Sequence, residues 1–221
     1  MRSYKMAVYT ISGIKVTDEH VEELSVELPK EFKNGQVIKF GRYFKNNNNK
    51  KEPLEWRVLE TDGKTALLIT ENAIDCKQYH HKETIVSWHD CDLRKWCNRD
   101  FIRDTFSETE KKLIVTTINQ NNYGLQTDDL IFCISTDEAI KYFGDNKNRI
   151  CKATSYALQN RAYDGGNGCA YWWLRSNNHP NYYASYTANY VDSHGFVSKN
   201  GCSVSLDNFA VRLACRINIE S

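Results

Sequence analysis

"AYWWLRSNNHPNYYASYTANY", residues 170–190, joins two compositions that rarely meet. The first six residues are a large apolar and aromatic run. The rest is almost entirely Asn, Tyr, Ser, Thr, Ala and His. Downstream, "FAVRLACRINI" at 209–219 is again apolar and β-branched. Both flanks have strand composition, and Trp172, Trp173, Val211 and Leu213 are large enough to anchor a core. The polar stretch is therefore expected to be held at both ends. Its tyrosines also set it apart from the Pro/Glu/Lys-rich composition of unfolded segments.

Upstream, "QVIKFGRYF", "EWRVLE" and "TALLIT" are short runs separated by the polar "KNNNNKKEP" and the turn "TDGK", which predicts an antiparallel meander from about Val37. The segment 89–114 reads as helix. Leu93, Trp96, Cys97, Phe101 and Ile102 gather on one face, Asp90 or Asp92 can cap the start, and the capping box "SETE" restarts a second helix. "DDLIFCIST" then reads as a strand, "TDEAIKYFG" as a helix capped by Thr136 with Gly144 at its exit, and "TSYALQNRAY" as another helix. Antiparallel strands at both ends with helices in the middle make an α+β domain over 35–221. Residues 1–34 read as an appended element: "MAVYTISGIKV" as strand, and "TDEHVEELSVEL" as a helix opened by Thr17 or Asp18. This element could pair between protomers, giving an oligomer, or cover the domain's own sheet edge.

The 29 basic and 28 acidic residues nearly cancel, so no bulk field selects nucleic acid or an anionic membrane. Ser12, Gly13 and Lys15 interrupt the only early apolar stretch, and no run approaches a membrane span. The expectation is a soluble chain without its own export signal, cytoplasmic by default. None of the eight cysteines forms a C-x-x-C pair, and Cys133 and Cys215 sit in strand-like runs, as buried reduced thiols would.

In the 33 residues from Ser176 to Asn208 there are six Asn, six Ser, four Tyr and two Asp. Tyrosine supplies rigid amphipathic contact area, and Ser and Asn supply adaptable hydrogen bonds, a balance found in paratopes. The absences carry more information. Lys, Glu, Gln, Met and Trp make up 44 of the 221 residues, so about 6 or 7 belong in this window by proportion, yet Lys199 is the only one. Those five are the amino acids that no pyrimidine-ending codon encodes. Asparagine codons of the form AAY whose adenines are replaced at random yield Asn, Tyr, Ser, Asp, His, Thr and Ala, and never these five. An ordinary polar loop is the plain alternative. The residues expected to contact a ligand are Asn177, Asn178, His179, Asn181, Tyr182, Tyr183, Ser185, Tyr186, Asn189, Asp192, Ser193, His194, Ser198, Asn200, Ser203, Ser205, Asp207 and Asn208.

Other constellations are weaker. In "YHHKETIVSWHDCD", His80 and His81 point to opposite sides if extended, so no metal centre is expected. Asp128 and Asp129 supply too few of the 6–8 oxygens that calcium takes. "DGGNG" at 164–168 lacks the Lys-Ser/Thr of a phosphate loop. Arg175 and Arg212, flanking the polar stretch, could meet an anionic ligand or brace the framework. No cofactor is expected.

The order "IKFGRYF", "EPLEWRVLE", "ALLIT", "LRKWCNRDF", "DDLIFCIS", "WWLRS", "ANYVDSHG" and "VRLACRI" resembles an uncharacterised domain family of gut Firmicutes over about residues 35–219. That family is related to the C-type-lectin-like fold shared by formylglycine-generating enzymes and the variable proteins of diversity-generating retroelements. The resemblance implies a C-type-lectin-like fold of the formylglycine-generating-enzyme-like branch. It also implies a non-enzymatic binding protein whose segment 176–208, rewritten by adenine-directed mutagenesis, displays a face for a protein or carbohydrate ligand. Two alternatives come with it: a non-diversified binding module, and an oxidase using Cys169, Cys202 or Cys215. Family members often read G-V-R-P-A-L where this chain has "AVRLAC", so the last strand is expected to enter the core differently.

Overall fold

A computed structural model describes residues 8–11, 14–17, 28–177 and 186–220. Near the N-terminus, β1 (Val8–Ile11) and β2 (Ile14–Thr17) form an antiparallel hairpin. The helix expected over "TDEHVEELSVEL" falls largely outside the described residues.

The meander follows as β3 (Val37–Phe44), β4 (Lys51–Thr61) and β5 (Thr65–Thr70), and then the short β6 (Asp75–Cys76). β3 alternates exposed and buried side chains, sending Ile38 and Phe40 inward, as a half-buried strand requires. Asp62 pins the β4–β5 turn by accepting the backbone N–H of Lys64 (2.9 Å) and Thr65 (2.6 Å).

The helical middle opens with α1 (Asp92–Trp96), a π turn over Cys97–Phe101, α2 (Ile102–Thr105) and α3 (Glu108–Lys111). The restart at "SETE" holds, with Ser107 and Glu110 completing the capping box. The first cap differs from both expected aspartates. Cys91 takes the position, its Sγ accepting the Arg94 N–H at 3.4 Å, while Asp92 becomes the first helical residue.

Four short strands lie next: β7 (Ile114–Val115), β8 (Thr117–Asn119), β9 (Thr127–Asp129) and β10 (Ile131–Phe132). They are followed by α4 (Thr136–Phe143), α5 (Asn146–Arg149) and α6 (Ser155–Gln159). Ser135, one residue earlier than expected, caps α4 in a capping box with Glu138, and Gly144 ends that helix at φ +65°. Asp129 is fully buried and braces the core. It accepts from Arg94 (2.6 Å), Thr127 (2.7 Å), Asn119 (2.9 Å) and Trp88 (3.0 Å).

The C-terminal strands are β11 (Trp172–Asn177), β12 (Thr187–Val191), β13 (Val197–Ser203), β14 (Ala210–Val211) and β15 (Ala214–Asn218). Two main sheets result. The curled antiparallel half-barrel has the order β10-β15-β5-β4-β3, with β7 also on β15. The second sheet runs β13-β12-β11-β14-β6, antiparallel except where β14 lies parallel to β11. Helices and mostly antiparallel strands are thus mixed in one chain.

"FAVRLACRINI" reads as one strand but is divided between the sheets. Ala210–Val211 belong to the second, Ala214–Asn218 to the first, and Arg212 and Leu213 cross between them. The Leu213 N–H donates to Thr70 Oγ1 at 3.1 Å, a bond that a proline at this position could not make. Arg212 is buried in the crossing. It donates to the Thr70 carbonyl at 3.0 Å, and its guanidinium lies 4.7 Å from the Phe143 ring and 5.3 Å from Trp172. Arg175 is buried too, paired with Glu138 and donating to the Cys133 carbonyl at 3.2 Å. Both arginines are therefore framework.

Candidate ligand-binding face

β11 and β12 grip the polar segment at its neck. Asn177, the last residue of β11, pairs with Ala188, and its side chain accepts the Tyr79 hydroxyl at 2.7 Å. Its backbone N–H donates to Asn122 at 3.2 Å. Beyond the neck, Asn178, His179, Asn181, Tyr182, Tyr183 and Ser185 lie outside the described residues. Tyr186, where description resumes, is 40% exposed.

From there the chain runs along β12, turns at 192–196 and returns along β13, the edge of the second sheet. Asp192 makes the turn, accepting the N–H groups of His194 (2.8 Å) and Phe196 (2.9 Å). Gly195 is forced here. It has φ +81°, and a Cβ on it would sit 1.8 Å from the Asn146 carbonyl oxygen. Its own carbonyl accepts Arg149 Nε at 2.9 Å.

Four of the described candidates are exposed: Tyr186, His194, Asn200 and Asp207. Ser198, Ser203, Ser205 and Asn208 are half-buried around them. Asp207 is held by Arg161 at 2.9 Å, and the hydroxyls of Ser203 and Ser205 lie 3.0 Å apart. Three candidates face inward and are removed from the contact set. Asn177, Asn189 and Ser193 are at most 6% exposed. Asn189 donates to Thr136 Oγ1 at 3.1 Å, and Ser193 packs against Gly165. Burial takes these side chains out of reach of a ligand at the surface, although Asn189 Oδ1 is left without a hydrogen-bond partner among the described residues.

Aromatic residues outside the expected set extend the face. Tyr171 stacks on Tyr190 (5.7 Å, 17°), and Tyr163 tilts against Tyr171 at 4.9 Å. Phe209 anchors this layer, stacking on buried Trp173 at 4.0 Å and meeting Tyr190 edge-on at 5.0 Å. Tyr163 is 46% exposed, and Phe196 and Leu206 add exposed apolar area near the turns. The signal for Tyr171 was available in parity: in a strand it shares a face with Trp173.

The eight cysteines are all unpaired, and six are buried. Burial pushes the Cys91 and Cys76 thiols up to about 12, far from a reactive thiolate. Cys169, Cys202 and Cys215 stand on separate elements: a bridge to Lys152, the edge strand β13 and the half-barrel strand β15. The histidine segment contradicts expectation. His80 and His81 do not diverge, because this stretch is a bend rather than a strand. Their rings lie 4.8 Å apart, beside Asp92.

Among the described residues no helix is long and apolar enough to cross a membrane. No curated protein and no solved structure matches the chain. Residues 63–219, more than half of the chain, match the family described as a domain of unknown function (DUF6273), and the chain belongs to that family.

Proposed function

We propose that this chain is a ligand-binding protein of C-type-lectin-like fold whose segment 176–208 is a face diversified by a retroelement. Recognition uses tyrosine packing with Asn, Ser and Asp hydrogen bonds, and no covalent bond changes. The observation that carries the proposal is the near-absence, from 33 consecutive residues, of the five amino acids that pyrimidine-ending codons cannot encode. Supporting it, the described exposed candidates lie just before β12 (Tyr186), in the β12–β13 turn (His194), on β13 (Asn200) and in the loop after it (Asp207), while Trp172, Trp173, Val211 and Leu213 are fully buried. A face of this kind can change its residues without touching the core.

The test is binding to arrays of glycans and of surface proteins by the unaltered chain and by a variant carrying Tyr182→Ala, Tyr183→Ala and Tyr186→Ala. Tyrosine anchors contribute strongly to such faces, so the expected result is loss of about tenfold or more of the affinity for whichever ligand scores. Unchanged affinity would remove this face from the function.

A further inference from the structure

His80, His81 and Asp92 converge at one point on the surface, with one donor atom from each within 4.8 Å of the others. Asp92 Oδ2 accepts the His81 backbone N–H at 3.0 Å and is hydrogen-bonded by His81 Nδ1. His80 Nδ1 stands 2.9 Å from the same oxygen. That nitrogen is buried, yet off the line a hydrogen bond needs, and it has no hydrogen-bond partner. Two imidazole nitrogens and a carboxylate oxygen thus meet at one point, and a cation that displaces the His81 Nδ1 proton would take a lone pair from each.

We infer that His80, His81 and Asp92 form a binding site for a divalent transition-metal ion of the zinc type. Two imidazoles and one carboxylate are a ligand set that zinc takes while keeping a further position open. Zinc–nitrogen bonds of about 2.0–2.1 Å place tetrahedral ligands about 3.3 Å apart. The His80–Asp92 spacing is close to this, and the His81 side chain, 58% exposed, is free to turn inward. The opposing charges are Lys95, whose ammonium lies 3.7 Å from Asp92 Oδ1, and the neighbouring Lys82. Lys95 engages the other carboxylate oxygen and leaves Oδ2 to the metal.

The site also has a position that gives it a consequence. The His80 N–H donates to the Val204 carbonyl at 2.9 Å, and Gln78 donates to the Ser205 carbonyl at 2.5 Å. A metal here fixes the 78–81 segment to the start of α1, directly beside residues 204–205 of the candidate face. The metal site stands whether or not that face binds a ligand.

The test is calorimetric titration of the chelator-treated full chain with zinc chloride, repeated with cobalt(II) while its visible spectrum is recorded. One saturable equivalent is expected, with a cobalt spectrum free of a thiolate charge-transfer band. His81→Ala, which alters an exposed side chain and should leave the thermal midpoint of the metal-free protein unchanged, should weaken uptake by about tenfold or more. His80→Ala should do the same. Absence of saturable uptake, uptake undiminished in the His80→Ala/His81→Ala double variant, or a thiolate band would each overturn the inference.

Discussion

Arg175 and Glu138 show how much of the framework rests on single buried contacts. Arg175 is 4% exposed and directs its guanidinium at a carboxylate that also caps α4 through the Ser135 N–H at 2.7 Å. Burial by itself would raise the Glu138 pKa, but the hydrogen bonds and charge of Arg175 more than offset it and hold the carboxyl below its ordinary 4.5. A lowered folded-state pKa contributes stability that is complete above 4.5 and is lost as pH falls through the folded value. Glu138→Gln should therefore cost about 3 kcal/mol near neutral pH, at the low end for a buried pair because Glu138 keeps 28% exposure. The variant should also lose part of the acid-limb slope in urea unfolding. Parallel acid limbs for the two proteins would contradict this. Gly195 is a second such residue. Gly195→Ala places a methyl group against the Asn146 carbonyl in a left-handed backbone, and should lower stability by about 2–3 kcal/mol; an unchanged urea midpoint would refute the turn geometry.

Among the elements, β11 carries the most weight, with every residue from Trp172 to Asn177 buried. Trp173 stacks on Phe209, meets Tyr79 edge-on at 5.8 Å and donates to the Lys77 carbonyl at 2.9 Å. Trp173→Ala should cost about 3–5 kcal/mol by thermal or urea unfolding. It should also disorder the Tyr171–Tyr190 stack, read as increased tyrosine side-chain mobility by NMR. Strands with a local signature were legible: the meander over 37–70, the apolar flanks of the polar segment, and the helix restart at Ser107. The final run was not legible as two strands, because nothing in "FAVRLACRINI" says that Thr70 of a distant strand will take the Leu213 N–H. Caps were misplaced by a residue where two plausible cap residues are adjacent, Ser135 beside Thr136 and Cys91 beside Asp92. The candidate face was legible as a composition. Which of its polar side chains turn inward was not, because the inward position of Asn189 is set by Thr136, 53 residues away. His80 and His81 were misread for the same reason, since a bend stabilised by Asp92 has no signature in an isolated pair of histidines.

For the molecule as a whole, the division between buried and exposed polar residues makes the diversification proposal more specific. Changes written into segment 176–208 should fall on exposed codons such as those of Tyr186, His194, Asn200 and Asp207. They should spare Asn177, Asn189 and Ser193, whose side chains face the framework. Core residues Trp172, Trp173, Val211 and Leu213 should be constant among all copies, because they are fully buried and changing their volume would leave a cavity or a clash. The most direct measurement is to sequence the DNA around this gene, together with many independent copies of codons 176–208. The expected result is a near-copy of those codons, rich in adenine and beside a reverse transcriptase gene. Differences between the copies should be confined to template adenines and concentrated at the exposed positions. A locus with no such template, or with variation spread evenly over Asn177, Asn189 and Ser193 as well, would contradict the account.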